Sequence, residues 1–108
     1  PKPAQLGPTV DGYSCVGTEV RGTLGRRRVE YFIYTMDNHR DCYEKYGYSL
    51  TLVQTGIPPA LTARLLIEGK IKERGVMMPE ALQPDELMTH FSHEGLPIFV
   101  EKRETERI

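Results

Sequence analysis

The chain has few cysteines, almost no net charge and no long apolar run, and each lack excludes something. Cys15 and Cys42 are its only cysteines. They form no CxxC pair, and two cysteines cannot define a disulfide framework. A reduced, cytoplasmic setting is the resulting expectation. The net charge is -1, so there is no broad electrostatic case for nucleic acid. No apolar run approaches membrane-spanning length, no signal peptide is visible, and a membrane is not expected as a partner. Repeats and low-complexity tracts are absent. The dinucleotide fingerprint is missing as well. No GxGxxG follows a strand, and Gly22 to Gly25 lies in an expected hairpin with no helix after it. This chain alone is therefore expected to bind no nicotinamide cofactor. Metal spacing is equally poor. His90 and His93 are three apart, as are His39 and Cys42, but two ligands are not a site.

What remains is a chain of 108 residues, 39% hydrophobic and 27% charged. That suffices for one small globular domain and its core. It begins at Pro1 without Met, as a piece of a longer protein would.

The stretch Ser49 to Gly75 organises the rest. Leu50, Val53, Ile57, Ala60, Leu61, Arg64, Leu65 and Glu68 recur at steps of three and four, which places the apolar members on one stripe of a helix. Ser49 suits the N-cap, and Gly69 suits the position just past the end. Pro58 and Pro59 lack the N–H groups that the carbonyls of Gln54 and Thr55 would accept from, a cost of about 3 kcal/mol or more for an interior proline. Either a short helix starts at the prolines after a strand, or one long helix is kinked near Gly56. The stripe keeps its phase across the break, and burying five such side chains at roughly 1.5–3 kcal/mol each outweighs the kink. The pattern favours a long proline-kinked helix over about 49–69.

In chain order, residues 1–12 read as a linker or packed arm without a regular element, and residues 13–108 as an α+β domain. Tyr13 to Arg21 reads as a strand, Gly22 to Gly25 as a turn, and Arg26 to Met36 as a second strand. Val29, Tyr31, Ile33 and Thr35 share one face of it; Phe32, Tyr34 and Met36 share the other. Apolar bulk on both faces makes this strand central, or turns its outer face toward a partner. Asp37 to Gly47 reads as a loop. A second helix is expected over about 84–94, with Pro84 at its first position and Leu87, Met88 and Phe91 buried. Pro97 to Lys102 reads as a last strand, and Glu101 to Arg107 as a charged tail that frays. Strands followed by helices give an α+β fold, a small, mostly antiparallel sheet with helices packed on one face.

Thr55-Gly56-Ile57-Pro58-Pro59-Ala60, the apolar run to Leu66, Glu68-Gly69-Lys70-Ile71, Gly75-Val76 before Pro79-Glu80, and Glu94-Gly95-Leu96 form an ordered series. In that order they resemble the C-terminal part of saccharopine dehydrogenase-like proteins, over Tyr48 to about Leu96. The resemblance implies a parent oxidoreductase that uses NAD or NADP to form or cleave a secondary amine. It also implies an upstream Rossmann domain, absent from this chain, and a C-terminal domain that shapes the substrate site and carries a homodimer contact. An amino-acid-type small molecule is the implied ligand.

The prolines free the carbonyls of Gln54 and Thr55, and Gly56 removes a side chain from the surface, which suits close approach of a ligand or another backbone; the resemblance implies that Thr55 and Gly56 lie near the cleft between the two domains. Gly56 serving only close packing is the plainer alternative. Arg40 and Lys45 have the chemistry to pair with substrate carboxylates, and His39 or a tyrosine of the same loop to move a proton. The alternative is a solvated loop with ordinary charges. Arg64 either reaches a ligand carboxylate or lays its stem on apolar surface with a wet head. Cys42 shows neither the base nor the electropositive pocket of a nucleophile. Arg26-Arg27-Arg28 reads as a solvated basic turn. A different reading of the whole is a non-catalytic α+β module that binds a partner, or itself, through Phe32, Tyr34 and Met36.

Overall fold

A computed structural model describes residues 2–107. It opens with a short helix α1 (Pro3–Leu6) and a 3-10 turn (Gly7–Thr9), followed by β1 (Tyr13–Leu24) and β2 (Arg27–Asn38). Next come α2 (His39–Tyr46), α3 (Leu50–Ile67), a 3-10 turn (Pro79–Ala81), α4 (Pro84–His93) and β3 (Ile98–Glu106). The strands form an antiparallel sheet in the order β1-β2-β3. The α+β expectation holds, and β2 is central as its two apolar faces require.

α3 runs unbroken through both prolines. Ser49 caps it, its hydroxyl accepting from the Leu52 N–H at 3.4 Å. At the other end Gly69 takes φ 71°, the Lys70 N–H donates to Leu65 O at 2.9 Å and the Gly69 N–H to Leu66 O at 3.1 Å. Those two bonds make a Schellman end, which needs a left-handed residue at Gly69. Leu50, Val53, Leu61 and Leu65 are the buried stripe, with Ile57 partly buried between them. Leu50, Val53 and Ile57 pack with Cys42 and Tyr46 of α2.

α3 corrects one expectation. At 18 residues and mean hydropathy 1.2 it is long and apolar enough to cross a membrane by length and composition. Its stripe is committed to the core instead, and its Gln54 amide donates to Ser14 O of β1 at 3.4 Å while Gln54 Oε1 accepts from the Ser14 hydroxyl at 3.1 Å.

Three further expectations give way. Residues 39–46, read as loop, are α2. Asn38 caps it by accepting from the Arg40 and Asp41 N–H groups at 2.9 and 3.1 Å, and Gly47 ends it at φ 73°. The tail over 101–106 is strand, because its charges find cross-strand partners. Arg27 donates to Glu104 at 3.1 Å and the Tyr34 hydroxyl to Glu101 at 3.0 Å, and Lys102 sits 5.6 Å from the Tyr31 ring centre. The first hairpin turns at Gly25 and Arg26 rather than over residues 22–25. β1 continues to Leu24, and Gly25 takes φ 63° at the first central position, where such turns need glycine. The arm is also less irregular than expected: it carries α1 and the 3-10 turn, with Gly7 set against the Tyr43 ring.

The helices pack on one another and meet the sheet at its Ser14, Asn38 and Ile98 end. The rest of the sheet stands clear of them, so Val16, Val20, Leu24, Phe99 and Val100 are exposed.

Candidate functional site

The two prolines of α3 leave the carbonyls of Gln54 and Thr55 without their usual donors. The helix keeps its turn by other means. Thr55 Oγ1 donates to Thr51 O at 2.7 Å, and Thr62 Oγ1 donates to Pro58 O at 2.8 Å. Both hydroxyls are thus turned back on the helix. Beside them Gly56 faces open space: an added Cβ would meet nothing within 4 Å. Close packing within the chain is therefore not what Gly56 serves.

Two grooves flank the Gly56–Pro59 stretch of α3. The first, about 510 Å³, is lined by Tyr46, Tyr48, Leu52, Gly56, Ile57 and Glu94. The second, about 700 Å³, runs between Pro58, Pro59 and Leu66 of α3 and Leu87, Met88 and Phe91 of α4. Each has a mostly apolar lining with few polar groups, the usual character of a ligand or docking site.

The charged groups around the first groove are mutually tied. Arg64 donates to Glu94 at 2.7 Å and lies 3.6 Å from Glu68. It thus takes protein carboxylates at the surface, and its side chain stays 45% exposed, in line with the wet-head alternative. As hydrogen-bond donor and as nearby charge, Arg64 holds the Glu94 carboxyl below its usual range, and Glu94 raises Arg64 in return. Lys45 sits 4.9 Å from the Tyr46 ring centre. The Tyr46 hydroxyl, as hydrogen-bond partner, pushes it up, so it stays a cation.

The candidate residues separate into two groups. Gly56 lines the first groove and Lys45 lies at its edge through Tyr46; Thr55 is exposed on the adjacent side of α3. Arg40 and His39 lie at the opposite end of α2, about 10 Å away along the helix axis. Arg40 pairs with Asp11 of the arm at 3.2 Å. The Gly12 N–H, then Asn38, then Arg40 hold that carboxyl low. The His39 N–H donates to Gly12 O at 2.9 Å. His39 Nδ1 is buried without a hydrogen-bond partner among the described residues. Arg40 is thus engaged by the chain itself and does not converge with Gly56.

Sequence reasoning missed Tyr48 and Glu94, and took Tyr46 as one of the loop tyrosines rather than as part of this groove. Tyr46 and Tyr48 stood in, or beside, a segment read as loop, and Tyr48 lies in the turn between α2 and α3. Cys42 is buried in the core, and burial pushes its thiol up, away from a nucleophile's range. Among the described residues no three His, Cys, Asp or Glu side chains gather as metal ligands.

Residues 5–96 match the family model described as "Saccharopine dehydrogenase C-terminal domain". The chain is 30% identical over 97 residues to a carboxyaminopropylagmatine dehydrogenase of Synechocystis sp., covering 90% of this chain and 24% of that protein. It is 31% identical over 104 residues to a carboxynorspermidine synthase of Vibrio alginolyticus, covering 96% and 25%. A carboxynorspermidine synthase of Vibrio cholerae is 30% identical over 96 residues, covering 89% and 23%. The chain thus spans about a quarter of the length of the curated relatives it matches. The match takes in the bend of α3, both grooves and all three helices around them, and the chain belongs to the saccharopine dehydrogenase C-terminal domain family.

Proposed function

We propose that the chain is the C-terminal portion of an oxidoreductase that forms or cleaves a secondary amine with NAD or NADP, and that the bend of α3 receives the part that carries the nucleotide. One observation carries the docking half of this reading: a mid-helix glycine, beside two prolines, faces open space between two apolar grooves. An exposed glycine inside a helix costs about 1 kcal/mol relative to alanine, and nothing among the described residues uses the room it leaves. The relatives, a carboxyaminopropylagmatine dehydrogenase and carboxynorspermidine synthases, support an oxidoreductase that acts on an amine. The cofactor, when bound in the parent, supplies the hydride.

Within this reading, Gly56 and Thr55 border the cleft. Lys45 offers a cation to a substrate carboxylate at the groove edge. Arg40 and His39 take part only if Asp11 releases Arg40. The setting is cytoplasmic and reducing, in keeping with two free thiols. The test is an assay of the full-length parent for NAD(P)H oxidation with amine and carbonyl pairs, agmatine and lysine with 2-oxoglutarate included. Turnover with an amine pair is expected. No turnover and no nucleotide binding would end the reading.

A second reading rests on the sheet. Phe32, Tyr34 and Phe99 stack with centres 4.7 and 5.3 Å apart, and Met36 and Phe99 remain 38% and 42% exposed. An open aromatic face of this kind suits self-association, with or without catalysis in the parent. A Phe32→Asp, Tyr34→Asp variant that keeps the wild-type mass and fold would refute it.

A further inference from the structure

The first groove has one cation left over at its edge. Arg40 is paired with Asp11, and Arg64 with Glu94 and Glu68. Lys45 forms no ion pair among the described residues, and Asp37 acts on it only as a lesser nearby charge. Its hydrogen-bond partner is the neutral hydroxyl of Tyr46. Because Arg64 offsets Glu94, the charge that remains beside this groove is positive.

The donors that remain free follow from the chemistry of the pair. An ammonium donates and cannot accept, so between Lys45 and Tyr46 the phenol oxygen is the acceptor. The phenol proton and the rest of the ammonium protons are left to be given to a ligand. Both groups are held in place. The Tyr46 ring packs on Cys42, Leu50 and Val53 of the core. Its hydroxyl lies against Gly95, which takes φ 90° just past the end of α4. A Cβ on Gly95 would overlap the Tyr46 hydroxyl oxygen and stand 3.7 Å from Lys45 Nζ. Glycine at 95 thus meets a left-handed backbone and also leaves the room that this hydroxyl occupies. Tyr43, the other tyrosine of α2, is covered by Gly7 of the arm and offers nothing to the groove.

We propose, resting on the function proposed above, that Lys45 Nζ and Tyr46 Oη form a two-point anchor for the substrate's carboxylate, with Gly95 as the positioning residue that sets it. One carboxylate oxygen accepts from the ammonium and the other from the phenol, and bonds to an ionised acceptor are the stronger kind. The carbon stem then lies over Leu52 and Ile57 toward Gly56, all three of which line the groove. The far end of the ligand thereby reaches the stretch of α3 where the nucleotide-bearing part is proposed to dock. A cationic ligand of the same shape is repelled by Lys45.

NMR of the 108-residue chain tests the anchor without turnover. Pentanoate should shift the signals of Tyr46, Gly95 and Gly56. Pentan-1-ol, with the same stem and no charge, should bind about tenfold more weakly, and pentylammonium should leave Tyr46 unmoved. Lys45→Met should weaken pentanoate about tenfold and Tyr46→Phe about fivefold, while Lys45→Arg, which keeps the charge, should recover part of the loss. Gly95→Ala should act as Tyr46→Phe does; should its backbone strain unfold the chain, the Tyr46→Phe result stands in its place. In the full-length parent, Lys45→Met should raise the KM of the carboxylated substrate about tenfold and leave kcat within about threefold, a split that a merely structural role would not give. No shift at Tyr46 and Gly95, or pentanoate binding indifferent to Lys45→Met and Tyr46→Phe, overturns the anchor, as does a KM unmoved by Lys45→Met. A wild-type parent without turnover ends the function proposed above, and the pentanoate titration still decides the anchor.

Discussion

Glu94 ends α4 and Arg64 stands on α3, and their 2.7 Å contact joins the two helices beside the first groove. Because Arg64 depresses the Glu94 pKa in the fold, the pair's stabilisation is full above the unfolded carboxylate value, about 4.3. It is lost as pH falls through the lower, folded value. Glu94→Gln should therefore melt below wild type at neutral pH and converge with it near pH ~3; thermal melts at both values check this. Gly17 is the second telling residue. A Cβ there would stand 2.6 Å from Tyr34 Cβ and 2.8 Å from the Phe32 ring. Gly17→Ala should destabilise the chain by about 1–3 kcal/mol through overpacking, read by urea titration. Nothing in the sequence pointed to Gly17, because the stack it accommodates is a product of strand register.

At the scale of elements, α3 was legible almost to the residue. Its stripe, its Ser49 cap and its Gly69 stop are local signals, and burial outweighs the two prolines as the spacing implied. Leu65 is 1% exposed, and Leu65→Ala should cost about 2–5 kcal/mol, measured by the same titration. α2 was illegible for a physical reason. Over two turns it buries only Cys42 fully, so no period accumulates, and its Asn38 cap and Gly47 stop also suit a loop. The end of β3 was hidden differently. Its charges resemble a frayed tail, and only pairing with β2 makes them a strand. For the site, Gly56 was visible as an anomaly within a helix. The tyrosines that face the same groove were not, since they come from α2 and the turn after it.

As a whole molecule, the chain gathers its helices at one end of the sheet and leaves much apolar surface open. Val16, Val20 and Val100 on one sheet face are each more than half exposed, as are Leu52, Leu66 and Ile67 of α3. Burying such surface at about 25 cal/mol per Å² stabilises association with a neighbour, and two apolar grooves flank the Gly56–Pro59 stretch of α3. Gly56→Leu tests that most directly, in the isolated chain and in the full-length parent. In the isolated chain, a better helix former facing open space should raise stability by roughly 0.5–1 kcal/mol. In the parent, the same side chain should fill the groove and lower turnover about tenfold or more. A parent that gains the stability and keeps its full activity would contradict the account.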